Sequence, residues 1–186
     1  YKGPYFPESG NLANAARIAL STATHLHANR VEVRTASLGQ RGATLLYQLP
    51  TAATRTNAWF AGDLSRADGP YDPSQDLRRL SLFARFYHRL TEASTLDVTM
   101  SGYGASWREP GLVAGRAVAR GDVSRFGSLN DTQGGSTSRQ SAALTYRTRD
   151  ADGDRELETT AYAVSYGAQL YSDVTFFTLD PIYGDM

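Results

Sequence analysis

Residues 80–103 read LSLFARFYHRLTEASTLDVTMSGY, and this stretch decides the fold class. Apolar and polar side chains alternate on both sides of a short polar connection at residues 91–94. The apolar positions are Leu80, Leu82, Ala84 and Phe86, then Leu96, Val98, Met100 and Gly102. A period of two residues indicates β-strands with one apolar and one polar face. The stretch therefore predicts two antiparallel strands joined by a tight turn.

The same alternation recurs around residues 57–65, 141–147 and 160–170, and it dominates from Arg30 onward. We count about seven strands, several of them near the ~9–11 residues that cross a bilayer at a tilt. The polar face carries charged residues in the strands, which suits a water-filled lumen. These candidate lumen-facing residues are Asp63, Arg85, Arg89, Asp97 and Arg147.

The connections between strands alternate in length. Their predicted positions are residues 39–42, 50–55, 67–75, 91–94, 108–138 and 150–154. In an up-and-down sheet consecutive connections lie at opposite ends, so one end collects tight turns and the other long loops, as in outer-membrane barrels. The first connection, 39–42, is short although it falls at the long-loop end. Within the longest connection, residues 110–125 predict a short helix with Pro110 near its start, and residues 130–138 predict a loop.

The composition of the chain excludes several classes of protein. The chain has 186 residues and no cysteine, and its 19 basic residues balance 19 acidic ones, which gives no basic surface for nucleic acid. No stretch approaches the ~18 apolar residues of a transmembrane helix. The sequence opens on Tyr1 without the pattern of a signal peptide, so we expect an internal fragment, or at least a chain that lacks its natural N-terminus. We predict an all-β, antiparallel, up-and-down portion of a transmembrane barrel, although alternation alone also fits a soluble sandwich or lipocalin-like barrel.

Several segments resemble the TonB-dependent outer-membrane receptors. The first resembles the end of the plug domain of that family and comprises Lys2, Gly3, Pro4, Gly10, Asn11, Ala13 and Ala15. Residues 68–73 (DGPYDP) resemble an early extracellular loop of the family, as do residues 125–127 (RFG). Residues 176–177 and 179–181 resemble a later loop.

The resemblance implies that residues 1–24 are the end of the plug and residues 25–186 the first part of a barrel of twenty-two strands. It further implies a bacterial outer-membrane location and energised uptake of a scarce solute, such as a ferric siderophore or cobalamin. TonB would act through a segment that is not in this sequence, and outer-membrane lipid would surround the barrel. The tight connections would then be periplasmic and the long ones extracellular.

Other motifs give only weak evidence for a metal site or a catalytic site. His25 and His27 would place two imidazoles on one face of a strand, but a metal site needs further ligands. Residues 150–154 (DADGD) lack the later residues of a calcium loop and predict a tight turn instead. His88 falls on the apolar face near a turn, which favours an interfacial role over catalysis. We expect no enzyme activity and no cofactor, and we keep a barrel enzyme and a soluble β-barrel binding module as alternatives.

Overall fold

A computed structural model describes residues 22–51, 55–150 and 152–172 of the chain. The segment that resembles the end of a plug lies outside these residues, as do residues 176–177 and 179–181, which resemble a later loop. The described residues form one antiparallel sheet in which each strand pairs with the next one in sequence. Its seven strands confirm the prediction of about seven strands in up-and-down order.

The strands lengthen from the beginning of the sheet to its end, from 6 residues in the first to 16 in the last. Their bounds are β1 Arg30–Thr35, β2 Arg41–Gln48, β3 Thr56–Ala67, β4 Leu77–Arg89, β5 Ser94–Arg108, β6 Gly134–Arg149 and β7 Glu156–Tyr171. One helix, α1 at Gly115–Arg120, interrupts the connection between β5 and β6. The short helix predicted within residues 110–125 is thereby confirmed, although it begins five residues after Pro110.

The two ends of the sheet differ as the sequence predicted. The tight-turn end holds the connections at 49–55, 90–93 and 150–155. The long-loop end holds the connections at 36–40, 68–76 and 109–133, and the first of these is short.

The prediction that residues 134–138 are loop is wrong, because β6 begins at Gly134, which pairs with Arg108 at the end of β5. Glycine is required at this first position. Its φ is +147°, and a Cβ atom would lie 2.3 Å from the backbone oxygen of Trp107. The polar composition of residues 134–138 suggested a loop, but these residues pair with the end of the long strand β5, and this pairing extends β6 back to Gly134.

Alternation along each strand gives the sheet two unlike faces. The register places Asp63, Arg85, Arg89, Asp97 and Arg147 on one side, which we call the charged face. The opposite side is the apolar face. Its exposed members include Val31, Val33, Leu45, Phe60, Leu64, Leu80, Leu82, Phe86, Met100 and Leu144.

The sheet is a single layer with almost no core. In the described part of the chain, Ala58, Trp59, Ala114 and Ala117 are the only buried hydrophobic residues, and no large side chain is fully buried. A stable domain normally buries the apolar face of a sheet against a second layer. The apolar face therefore requires a covering that the described residues do not supply.

β7 departs from the pattern of the other strands. The residues Tyr162, Val164, Tyr166 and Leu170 share one face, as the alternation predicts. The register places that face on the charged side, because Tyr162 pairs with Ala143 and Tyr166 pairs with Arg139. The charged face thus acquires an exposed aromatic and apolar strip along its last strand.

Candidate functional site

Asp63 is the centre of a hydrogen-bonded network on the charged face that joins four strands. Arg34 Nη2 donates to Asp63 Oδ2 over 2.5 Å, and the Thr44 hydroxyl donates to the same oxygen over 2.6 Å. From β4, Arg79 Nη2 donates to Asp63 Oδ1 over 3.1 Å. Because both carboxylate oxygens accept hydrogen bonds from side chains, Asp63 ties strands together and is poorly suited to act as a free base.

Glu32 extends this network along β1. Arg34 Nη1 donates to Glu32 Oε1 over 3.2 Å, and Arg30 forms an ion pair with the other carboxylate oxygen. Cations and carboxylates alternate along the strand, so the network nearly neutralises its own charge. Three arginines and two carboxylates leave one excess positive charge in this network, but each of the three arginines belongs to an ion pair.

Arg85 and Asp97 form the most shielded ion pair of the described residues. Arg85 Nε donates to Asp97 Oδ1 over 2.9 Å, and Nη2 donates to Oδ2 over 2.5 Å. The side chains are 11% and 10% exposed. A bidentate pair of this kind fixes the plane of the guanidinium group as well as its position. Arg85 can therefore present its remaining nitrogen in one defined direction.

That remaining nitrogen holds the segment of chain that precedes β1. Arg85 Nη1 donates to the backbone oxygen of Thr22 over 2.5 Å and to the Thr22 hydroxyl over 3.1 Å. Nearby, Trp59 Nε1 donates to the backbone oxygen of Ala23 over 3.0 Å. Residues 22 and 23 therefore lie against the charged face of the sheet, far in sequence from the strands that bind them.

Phe83 breaks the polar alternation of β4, and its neighbour explains why. Its ring stacks on that of Trp59 with 4.9 Å between the ring centroids. Trp59 is buried, and its indole binds the backbone of Ala23. Phe83 thus belongs to a small aromatic platform beneath the segment that precedes β1.

Arg89 and Arg147 lie on the charged face near the tight-turn end. Arg147 Nε donates to Glu158 Oε2 over 2.6 Å, between β6 and β7. Arg89 lies 3.6 Å from the largely exposed Glu92 in the adjoining turn. The five charged residues singled out in the sequence therefore share one face. Arg85 and Asp97 pair with each other, whereas Asp63, Arg89 and Arg147 belong to three other ion pairs.

Sequence reasoning missed three members of the Asp63 network, namely Arg34, Thr44 and Arg79. Arg79 was missed because β4 was expected to begin at Leu80, whereas it begins at Leu77. Arg34 and Thr44 lie on the polar sides of β1 and β2, so the alternation of polar and apolar residues in these strands was the available signal for them. Their partner in β3 became identifiable only from the register.

The chain has three histidines, His25, His27 and His88. His25 and His27 lie in a bend before β1, which corrects the expectation of a strand there, and their ring centroids are 6.1 Å apart. The described residues contain no group of three or more His, Cys, Asp or Glu side chains suited to a metal ion. His88 lies on the apolar face, as expected, and its Nδ1 is 2.8 Å from the Thr56 hydroxyl.

Within the described ranges, no helix has the length and hydrophobicity needed to span a membrane.

Comparisons with known proteins identify no relative. No family model, no curated protein and no solved structure matches the chain.

Proposed function

We propose that this chain is part of the barrel of a TonB-dependent outer-membrane transporter. In this proposal the barrel surrounds a plug and takes up a scarce solute, such as a ferric siderophore or cobalamin, with energy delivered by TonB. The protein would lie in the bacterial outer membrane with lipid around its apolar face. The proposal rests on the sequence resemblance together with three features of the fold.

The exposed apolar face is the observation that carries the proposal. On β4 it runs from Leu80 to His88, and eight residue steps of roughly 3.4 Å give about 27 Å along the strand. A strand tilt of ~40° reduces this to about 20 Å across a membrane, close to the ~25 Å apolar band of outer-membrane barrels. Lipid is a covering that suits a continuous apolar surface of this size.

The charged face supports an interior filled with water and protein. Ion pairs cover much of it, and Arg85 and Trp59 bind the backbone of residues 22 and 23. The chain that leads into β1 therefore starts on the side that would be the lumen. A plug at the N-terminal side of the barrel would approach the sheet from this side.

The two ends of the sheet support the orientation. The tight-turn end would face the periplasm, and the long-loop end would face the exterior. At the long-loop end the connections contact one another, since the Asp72 amide donates to the backbone oxygen of Phe126 over 2.9 Å. Structured outer loops would give a solute a defined surface to meet.

Uptake by living cells tests the function. Cells that express the full protein containing this chain would be offered radiolabelled ferric siderophores and cobalamin, with TonB present or deleted. We expect accumulation of one probe that depends on both the protein and TonB. Accumulation that persists unchanged without TonB would refute the proposed mechanism.

The two alternatives make different predictions. A soluble binding module would be monodisperse without detergent, whereas the proposal requires detergent or lipid. A barrel enzyme would hydrolyse ester or peptide substrates in detergent. Turnover that is lost on substitution of a clustered acid–base set would favour that alternative.

A further inference from the structure

Three arginines form a row across the apolar face at the long-loop end. The register pairs Arg41 of β2 with Arg66 of β3, and Arg66 with Arg78 of β4. Neighbouring strands are ~4.8 Å apart, so the row spans about 10 Å. We call these three residues the arginine row.

The apolar face begins directly below the arginine row. Ala43, Leu64 and Leu80 follow two residues further along the same three strands, and Val33 continues this line onto β1. An open groove of about 590 Å³ is lined by all three arginines together with Val33, Ala43 and Leu64. Cationic groups therefore lie at one end of this groove and apolar groups at the other.

The acidic residues near the arginine row do not neutralise it fully. Arg66 Nη2 lies 3.0 Å from Asp76 Oδ1, Arg78 Nη2 lies 2.7 Å from Asp76 Oδ2, and Arg66 Nε lies 3.7 Å from Asp68. No ion pair of Arg41 occurs among the described residues. Three cations with two carboxylates leave an excess of one positive charge, and all three arginine side chains are exposed.

We propose that the arginine row binds the phosphate groups of an anionic lipid whose acyl chains lie on the apolar face below it. This inference rests on the proposed membrane location. The planar guanidinium group donates two parallel hydrogen bonds to phosphate and is only weakly hydrated, so arginine suits this boundary. The continuity of cationic and apolar groups in one groove favours a lipid over a free anion, which would gain nothing from Leu64 and Leu80.

Lipid binding by the full protein that contains this chain tests the inference. The protein would be folded in neutral detergent, titrated with phosphatidylglycerol and then with phosphatidylcholine, and bound lipid would be counted by native mass spectrometry. We expect a preference for phosphatidylglycerol. The triple variant Arg41→Gln, Arg66→Gln, Arg78→Gln should bind it about 10- to 100-fold more weakly, since each basic residue near a membrane surface contributes roughly a fivefold factor.

Two further variants sharpen the test. The matched control Arg116→Gln, Arg120→Gln, Arg125→Gln removes the same charge from exposed positions in α1 and the loop after it, and it should bind nearly as the parent does. Asp76→Asn should bind phosphatidylglycerol a few-fold more tightly, because it removes the carboxylate that competes for Arg66 and Arg78. If the triple variant does not fold, Arg41→Gln alone should lower the affinity about fivefold.

Three outcomes would overturn the inference. An equal loss of binding in the loop control would indicate a general effect of net charge. Competition by millimolar inorganic phosphate in the absence of any lipid preference would indicate a free-anion site. Insertion of the full protein that contains this chain into phosphatidylcholine nanodiscs, without a preference for phosphatidylglycerol, would reject this inference alone, whereas its failure to insert into either lipid would reject the proposed membrane function.

Discussion

Among single residues, Asp97 depends most on an opposite charge beside it, because its carboxylate is shielded from water. It is the one charged residue that is buried in the described part of the chain, and it forms an ion pair with Arg85. Arg85 in turn binds the backbone of Thr22. By fixing the orientation of the Arg85 guanidinium group, Asp97 therefore stabilises the contact between Arg85 and Thr22.

We predict that Asp97→Ala destabilises the folded protein by about 3 kcal/mol, because it leaves a shielded guanidinium without its counter-charge. Urea unfolding in detergent micelles would measure the change in the free energy of unfolding. The control Glu92→Ala removes a largely exposed carboxylate that pairs with Arg55 and Arg89, and it should cost roughly 0–1 kcal/mol. Similar losses of unfolding free energy in the two variants would contradict the larger contribution that we assign to the shielded pair of Asp97 and Arg85.

Asp76, in the loop before β4, gives a prediction about pH. The hydrogen bond from Arg78 lowers the pKa of the Asp76 carboxyl, and the charges of Arg78, Arg66 and Arg108 act in the same direction. Since the folded state prefers the ionised form, this contribution to stability is complete above the ordinary aspartate pKa of about 3.9. It is lost as the pH falls through the lowered pKa of the folded state.

The titration of the Asp76 carboxyl carbon by NMR would check this prediction. We expect a midpoint below the ordinary aspartate value in the parent and a higher midpoint in Arg78→Gln. An identical midpoint in both proteins would show that Arg78 does not set the pKa of this group.

Among elements, the connections at the long-loop end are organised by contacts with one another. The amides of Asp68 and Gly69 donate to the backbone oxygen of Leu38 over 3.0 and 3.1 Å, which joins the first two connections. The rings of Tyr71 and Phe126 meet edge to face at 6.1 Å, which joins the second connection to the third. Long loops that hold one another in this way resist opening although each has little regular structure.

We predict that Phe126→Ala loosens the second and third connections. An aromatic pair contributes about 0.5–1.5 kcal/mol, so the Asp72 amide, which donates to the backbone oxygen of Phe126, should exchange with solvent about 3- to 10-fold faster. Hydrogen exchange would measure this rate. The control Leu129→Ala alters another exposed side chain of the same connection and should leave the Asp72 rate nearly unchanged.

For the whole molecule, the central property is that the described residues form a single sheet, in which no described residue covers the apolar face and no described strand pairs with the outer edges of β1 and β7. Unpaired strand edges promote pairing with other chains. We therefore expect the isolated chain to aggregate in plain buffer and to remain dispersed in detergent. Reversible two-state folding without detergent would contradict this expectation.

The adjacent residues Ser81 and Leu82 offer a test of membrane placement, because they lie on opposite faces of β4. Leu82→Arg places a charge on the apolar face and should destabilise folding into lipid vesicles by up to about 2–4 kcal/mol. Ser81→Arg adds the same charge beside Asp63 on the charged face and should fold nearly as the parent does. Folding yield, read from protease protection, would distinguish the two, and equal yields would argue against lipid contact at Leu82.

The sequence alone predicted much of the local structure. Period-two alternation at residues 80–103 predicted β4, β5 and the tight turn between them, because a strand directs successive side chains to opposite faces. The lengths of the connections predicted the difference between the two ends. The alternation also placed Asp63, Arg85 and Asp97 correctly on polar sides of their strands.

Only the tertiary structure decided which residues meet, because pairing register is a long-range property and alternation carries no information about a partner strand. Arg34 meets Asp63 across 29 positions of sequence, and the arginine row joins three strands. The face of β7 was decided in the same way. Alternation correctly grouped Tyr162 with Tyr166, but pairing with β6 placed both on the charged side of the sheet.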